Sequence, residues 1–353
     1  MRQKNKVPVK NTILVAMSGG IDSSITAILL KKQGNNVAGV TFTHQLQKDA
    51  TAASRASQVC QKYEIPHHTV NLEEEFKKTV LAEFRGDLLA GKTPNPCVFC
   101  NRFFKFANLI KLADQLGYER IATGHYARVV ENNDNIQLKK AADTTKDQTY
   151  YLAMLTQKQL SRCLFPLGEY TKNEVRNIAK KEGLDFLLHQ QESQDLCFVI
   201  QKNVTEFIKR DIQEQPGQII DTQGNILGKH TSLWRYTLGQ KRSLNLPVPI
   251  PYFVVEKDNN TNTLIVSANP HDPRLFSTKA FIEPVNYISD TKLPLACQAQ
   301  IRYQSQLASV VVRKNKDGRI QVVFTEPQKA LTPGQYIVFY QGDICLGGGK
   351  ISA

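Results

Sequence analysis

The sequence has no apolar run near the roughly 20 residues a membrane-spanning helix needs, so a membrane protein is not expected. Its basic start, MRQKNKVPVKNT, runs straight into ILVAM, with neither a long apolar region nor a small-residue cleavage site, and is read as no targeting peptide. Cysteine is sparse and odd in number, seven in 353 residues. That excludes a disulfide framework and points to a reducing, cytoplasmic setting. Neither a second C-x-x-C nor an H-x-x-x-H accompanies Cys97 and Cys100, so the pair lacks the further ligands of a structural zinc site. Walker A and dinucleotide fingerprints are missing, as are fixed-period repeats and low-complexity tracts.

What is present is a globular composition, 41% hydrophobic and 22% charged, on a chain long enough for two or three domains. The net charge of +13 is spread over both halves. Such an excess attracts polyanions, although a lysine-rich surface kept for solubility gives the same number. From Ile13 to about Cys197, strand-like runs (13–17, 36–42, 67–72, 120–127) alternate with helical ones. Phe76, Val80, Phe84 and Leu88, at successive i+4 steps, mark one helix face. The alternation predicts an α/β domain with a parallel sheet. After about Phe207 the runs shorten and turn signals recur. SVVVRKNKDGRIQVVF and YIVFYQGDICLGG each read as a hairpin, so the rest is mostly antiparallel β.

AMSGGIDSS (16–24) follows the first strand and opens a helix. Gly19 and Gly20 let the backbone approach a ligand, Ser18, Ser23 and Ser24 offer hydroxyls, and the helix N-terminus offers N–H groups to an anion. Asp22 would repel a bare phosphate, which makes sense if Mg2+ lies between them.

The stretch PNPCVFCN (94–101) carries the C-x-x-C. Such a pair suits half a zinc site, a redox couple, part of an iron–sulfur cluster, or a nucleophile beside an incidental neighbour. Cys60, Cys163, Cys297 and Cys345 lie among helix or strand residues and read as small core hydrophobes. His67 and His68 alternate across a strand and share no ligand face.

The loop resembles the SGGxDS signature of the PP-loop ATP pyrophosphatases. With GKTPNPCVFCNRFFKF, ATGHYAR (122–128), KDQTYYL (146–152), ESQDLCFV (192–199), YTLGQKR (236–242), IRYQ (301–304) and EPQKALTPGQYIVFYQGDICLGGG (326–349), the sequence resembles the tRNA-specific 2-thiouridylases over nearly its whole length. The resemblance implies three domains: a PP-loop domain over 1–204, a small central domain over 205–275 that contacts tRNA, and a C-terminal β-barrel over 276–353 that helps hold tRNA. It implies adenylation of the 2-oxygen of the wobble uridine by ATP with Mg2+, then replacement of that oxygen by sulfur. Ala16, Met17, Ser18, Gly19, Gly20, Ile21, Asp22 and Ser23 would surround the phosphates, with Phe42 and Gly124 lining the nucleotide. Cys197 would take a persulfide from a cysteine desulfurase or sulfur-relay protein. Cys100 would attack that persulfide and free sulfide, or assist direct attack on the uridine. Asn95, Pro96 and Cys97 fall where family members touch the target base. His125, Lys146, Asp147, Gln148, Arg302, Tyr303 and Gln335 fall where they touch tRNA, expected to be of the Lys, Glu and Gln types.

The commoner family pattern is NPDxxCN, with aspartate where this chain has Cys97. Three roles stay open at this point: a neutral substitute, a second thiol that resolves disulfides, or, with Cys100 and Cys197, a ligand of a 4Fe–4S cluster.

Overall fold

A computed structural model describes residues 11–44, 46–132, 135–188, 196–198, 204–209, 212–244, 246–247 and 250–352. Two compact units emerge, one of Met1–Lys77 with Asn101–Glu192, the other of Lys78–Cys100 with Ser193–Ala353. Local patterning could not reveal this division. The segment bearing Cys97 and Cys100 packs with the β-rich half, across a large gap in sequence.

In the first unit, β1 (Thr12–Ala16), β2 (Asn36–Thr43), β3 (His67–Asn71), β4 (Arg120–Ala122) and β7 (Cys163–Leu164) form a parallel sheet in the order β3-β2-β1-β4-β7. The centre of β1, Ile13 to Val15, is fully buried, as expected of a parallel strand covered on both faces. Helix α1 (Ile21–Lys32) and helix α2 (Leu46–Lys62) are crossovers that contribute Ile25, Ile28, Ala56 and Val59 to one core with Ile13, Val15 and Met17. The strand expected over 120–127 stops at Ala122. Ala127 instead opens an antiparallel hairpin, β5 (Ala127–Asn132) with β6 (Asn135–Lys140), so ATGHY is a connection and not a strand.

The single helix read from Phe76, Val80, Phe84 and Leu88 is three pieces: Glu73–Phe76, a π-helical turn at Lys77–Leu81, and Ala82–Leu89. All four residues are buried. Strict i+4 spacing drifts about 40° per step on a regular helix of 3.6 residues per turn, and a widened π turn takes up such drift. The boundary between the two units falls in this turn.

In the second unit, β8 (Gly217–Asp221), β9 (Ile226–His230), β10 (Phe253–Asp258) and β11 (Thr263–Ser267) form a small sheet over Ile219, Val254, Leu264 and Val266. The six strands β12 (Phe276–Tyr287), β13 (Leu295–Gln300), β14 (Ala308–Lys314), β15 (Ile320–Lys329), β16 (Tyr336–Gln341) and β17 (Ile344–Ile351) close as an antiparallel barrel through the β12–β17 pairing. Its filling comes from inward residues such as Val310, Val312, Val322, Ile337 and Phe339. Closure leaves no free edge strand. Both expected hairpins are there, as β14–β15 and β16–β17.

Candidate active site

The phosphate loop leaves β1 tied to β2: Met17 N–H donates to the Val40 carbonyl at 2.7 Å, and Thr41 Oγ1 donates to the Met17 carbonyl at 2.8 Å. Ser18 N–H then donates to Ser23 Oγ at 3.1 Å, and the hydroxyls of Ser23 and Ser24 donate to the Gly20 carbonyl at 3.1 and 2.9 Å. The serines therefore shape the loop from inside. Gly19 takes φ +69°, and a Cβ there would lie 2.2 Å from the Ala52 carbonyl oxygen. That same Gly19 carbonyl accepts from Arg55 Nε at 3.0 Å. Gly20, as N-cap of α1, supplies no side-chain cap, which leaves the helix start suited to an anion. Gly124 closes the other side. A Cβ on it would lie 2.8 Å from Ser23 N, so the backbone of ATGHY is pressed onto the first turn of α1. Phe42 stands half-buried on β2, in register with Val70.

Asp22 departs from the expectation that a metal alone offsets it. Lys172 Nζ lies 2.8 Å from both of its carboxylate oxygens, and the Tyr126 hydroxyl donates to Oδ1 at 2.9 Å. Sequence reasoning missed both partners. The available signal was TKNEVR: Thr171 and Glu174 form a capping box, which puts Lys172 in the first turn of the helix Lys172–Lys181. The helix dipole disfavours a cation there, so a lysine at that position points to some other use.

His125 donates to or accepts from Thr123 Oγ1 at 2.8 Å and packs between Phe106 and Phe165. Burial, with the Lys105 charge second, lowers its pKa to about 3. It is therefore a neutral ring, and any tRNA contact it makes is a hydrogen bond or a stack instead of an ion pair. A histidine whose folded pKa is depressed favours the fold fully above its ordinary pKa near 6.5, and that stability is lost as pH falls toward about 3. The melting temperature of His125→Gln should thus lie below wild type at pH 7.5 and close the gap toward pH 4. The wild type loses at most about 1.4 kcal/mol per pH unit from this ring. A gap independent of pH would show an ordinary, accessible histidine.

Asp147 and Gln148 face inward. The Asp147 carboxylate accepts from Ala141 N and Thr149 Oγ1 at 3.0 and 2.6 Å, and burial raises its pKa. Gln148 Oε1 accepts from Tyr126 N at 2.9 Å. Lys146 is half-buried at the head of this turn, its N–H on the Asp143 carbonyl.

In the second unit, Pro96 opens the short helix Pro96–Cys100, a first-turn position where its missing N–H costs nothing. Cys97 is half-buried and Cys100 only 4% exposed. The preceding turn rests on the barrel: Thr93 N–H donates to the Pro333 carbonyl at 2.9 Å, Asn95 N–H to Gly334 at 3.3 Å, and Gln335 Nε2 to the Thr93 carbonyl at 2.8 Å. Gln335, expected at tRNA, here braces the segment that leads to Cys100. Glu83 and Asp87, upstream on the helix Ala82–Leu89, hold the buried Lys350 Nζ of β17 at 2.7 and 2.5 Å.

Of ESQDLCFV only Leu196–Phe198 falls within the described residues. Cys197 is exposed, while Phe198 beside it is buried edge-on to Phe84 at 5.3 Å. Cys197 is thereby fixed to the same helix Ala82–Leu89 that leads to Cys100. Arg302 stands exposed in a turn after β13, where Ser305 N–H donates to its carbonyl at 3.0 Å; Tyr303 beside it is half-buried. Cys60, Cys163 and Cys345 are buried as expected, and burial pushes the Cys60 thiol up to about 11; Cys297 is half-buried.

Among the described residues, no three His, Cys, Asp or Glu side chains are grouped to hold a metal. Cys97, Cys100 and Cys197 do not fit a 4Fe–4S cluster, which needs its thiolates gathered around one cubane. Asp22 does suit Mg2+, a hard cation usually held by one or two carboxylates together with substrate phosphates and water.

A glycine-rich turn between a parallel strand and a helix, closed by a second glycine, defines an ATP-using enzyme of the PP-loop class. Residues 11–201 match the family described as tRNA methyl transferase HUP domain, 205–268 its PRC-barrel domain, and 277–351 the aminomethyltransferase β-barrel domain. The chain is 42% identical to tRNA-specific 2-thiouridylase MnmA 1 of Caldanaerobacter subterraneus subsp. tengcongensis, over 97% of this chain and 98% of that one. It is 38% identical to tRNA-specific 2-thiouridylase MnmA of Clostridium perfringens, over 98% and 99% of the two chains. With the same enzyme of Listeria monocytogenes serotype 4b the identity is 39%, over 96% and 94%. The chain belongs to the tRNA-specific 2-thiouridylase family.

Proposed function

We propose that this protein is a tRNA-uridine 2-sulfurtransferase acting in the cytoplasm on the wobble uridine of tRNAs of the Lys, Glu and Gln types. Uridine O2 attacks the α-phosphorus of ATP, and pyrophosphate leaves with the bonding electron pair. Adenylation turns a poor leaving group into AMP. When bound, Mg2+ would lessen the phosphate charge, with Asp22 as its protein ligand. The loop N–H groups, Gly19, Gly20 and the first turn of α1 hold the phosphates, and Phe42 and Gly124 flank the nucleotide.

Sulfur arrives as a persulfide on Cys197, which is exposed to a donor such as a cysteine desulfurase or relay protein. Cys100 thiolate attacks the inner sulfur. The S–S bond of the persulfide breaks, a Cys100–Cys197 disulfide forms, and hydrosulfide leaves to attack C2 of the uridine, expelling AMP. An external thiol reductant then restores both cysteines. The persulfide route uses two thiols, which leaves Cys97 the part of a neutral substitute beside the base, with Asn95 and Pro96. Lys146 and Arg302 supply charge to the tRNA backbone, with His125 and Tyr303 as neutral contacts.

The observation that carries this reading is that the segments of Cys100 and Cys197, distant in sequence, belong to one compact unit, with Phe198 beside Cys197 packed on Phe84 of the helix that precedes Cys100. The test is in vitro thiolation with ATP, a cysteine desulfurase and wobble-uridine tRNA, read as 2-thiouridine in digested tRNA. Absence of 2-thiouridine with every component active overturns the proposal. Affinity for tRNA should also fall steeply with rising ionic strength, as counterion release requires. A flat response would argue for a small-molecule substrate.

A further inference from the structure

We infer that Lys172 is a phosphate-binding residue of the adenylation step, shared between Asp22 and the phosphates of ATP; this rests on the function proposed above. Lys172 is 8% exposed, and its ammonium sits 2.8 Å from both oxygens of Asp22. Asp22 belongs to the first turn of α1, the end of the helix that the loop offers to an anion. A carboxylate there opposes phosphate, and a cation in the first turn of Lys172–Lys181 opposes that helix's own dipole. Each position is unfavourable alone. Together they place a cation on a four-carbon stem within reach of the loop N–H groups.

Two contacts allow that cation to change partners. The Tyr126 hydroxyl donates to Asp22 Oδ1 at 2.9 Å, so the carboxylate keeps a hydrogen bond when the ammonium turns away. The Lys172 backbone N–H is anchored separately, on Asp143 Oδ2 at 3.1 Å, and Thr171 caps the helix, so the side chain moves on a fixed base. As the bond from the α-phosphorus to the departing oxygen breaks, negative charge grows on pyrophosphate. A lysine ammonium beside it stabilises that charge without giving up its proton.

The alternative role is confined to Asp22: Lys172 would merely pair with a half-buried carboxylate. Binding of ATP, inorganic pyrophosphate and adenosine to the full chain, by calorimetry, separates the two. Lys172→Gln should weaken ATP and pyrophosphate by at least about tenfold, the value of one hydrogen bond to a charged group, and leave adenosine unchanged. Lys172→Arg should keep most of the pyrophosphate affinity. The deciding comparison is Asp22→Asn against Asp22→Asn/Lys172→Gln, a pair that leaves no unpaired buried charge in the double variant and so survives any misfolding of Lys172→Gln alone. If Lys172 meets phosphate, the double variant binds pyrophosphate at least about tenfold more weakly than Asp22→Asn. A loss smaller than that means the lysine serves only Asp22, and the inference falls. If the wild type itself binds neither ATP nor pyrophosphate, the functional reading falls with it.

Discussion

Replacing Cys100 or Cys197 by serine is expected to lower 2-thiouridine formation by roughly 10^3-fold or more, since removing a nucleophile leaves only binding and positioning to act. ATP and tRNA affinity should survive in both variants, because a hydroxyl fills the space of a thiol but carries no persulfide. Their side effects should differ. Cys100 is 4% exposed, so exchanging its thiol for a more polar hydroxyl should lower the melting temperature; Cys197 is exposed, and its replacement should leave the melting temperature unchanged. Labelled sulfur from a cysteine desulfurase tells the two apart: Cys100→Ser should load and retain the label, and Cys197→Ser should take none. Label settling on Cys100 instead would reverse the assignment.

Gly19→Ala is expected to cost the second-largest share of activity, through the nucleotide. The residue sits at φ +69°, where a Cβ is strained, and that Cβ would lie 2.2 Å from the Ala52 carbonyl oxygen, a backbone atom that cannot swing aside. Either the loop or α2 must move. Displacements of about 1 Å in a positioned site cost on the order of 100-fold in rate, so ATP-dependent thiolation should drop by about that factor while tRNA affinity holds. Gly34→Ala is the control: it too has positive φ, at +84°, but nothing lies within 4 Å of its Cβ. Equal losses in the two variants would mean that backbone strain, and not the phosphate loop, explains the effect.

The sequence discloses what is local. A glycine-rich turn after ILVAM, alternating strands and helices, and hairpins around Asp317–Gly318 and Gly342–Asp343 are set by neighbouring residues, and the structure has each of them. What it conceals is long-range. Asp22 and Lys172 are 150 residues apart, and no pattern around either reveals the other. Gln335 falls where family members touch tRNA, yet its side chain donates to the Thr93 carbonyl, 242 positions away. His125 falls where family members touch tRNA, and nothing near it in sequence shows that its ring packs against Phe106 and Phe165. The strand through ATGHY fails for a related reason: its apolar texture suits a strand, but Gly124 is needed against α1, which ends β4 at Ala122.

The clasp of Lys350 on Glu83 and Asp87 also sets a timetable for a growing chain. The contacts that seat the Cys100 segment are made with residues 169 to 267 positions downstream, at Asn259, Gln335 and Lys350. At a synthesis rate of about 5–20 residues per second, that segment waits roughly 10–50 s after it is made before its partners exist. The strands around the phosphate loop, by contrast, find one another once Leu164 has emerged. On the ribosome the sheet around the phosphate loop thus assembles before the segment of Cys97 and Cys100 is seated, and a nascent chain interrupted before β17 carries those two thiols on a segment that lacks its clasp.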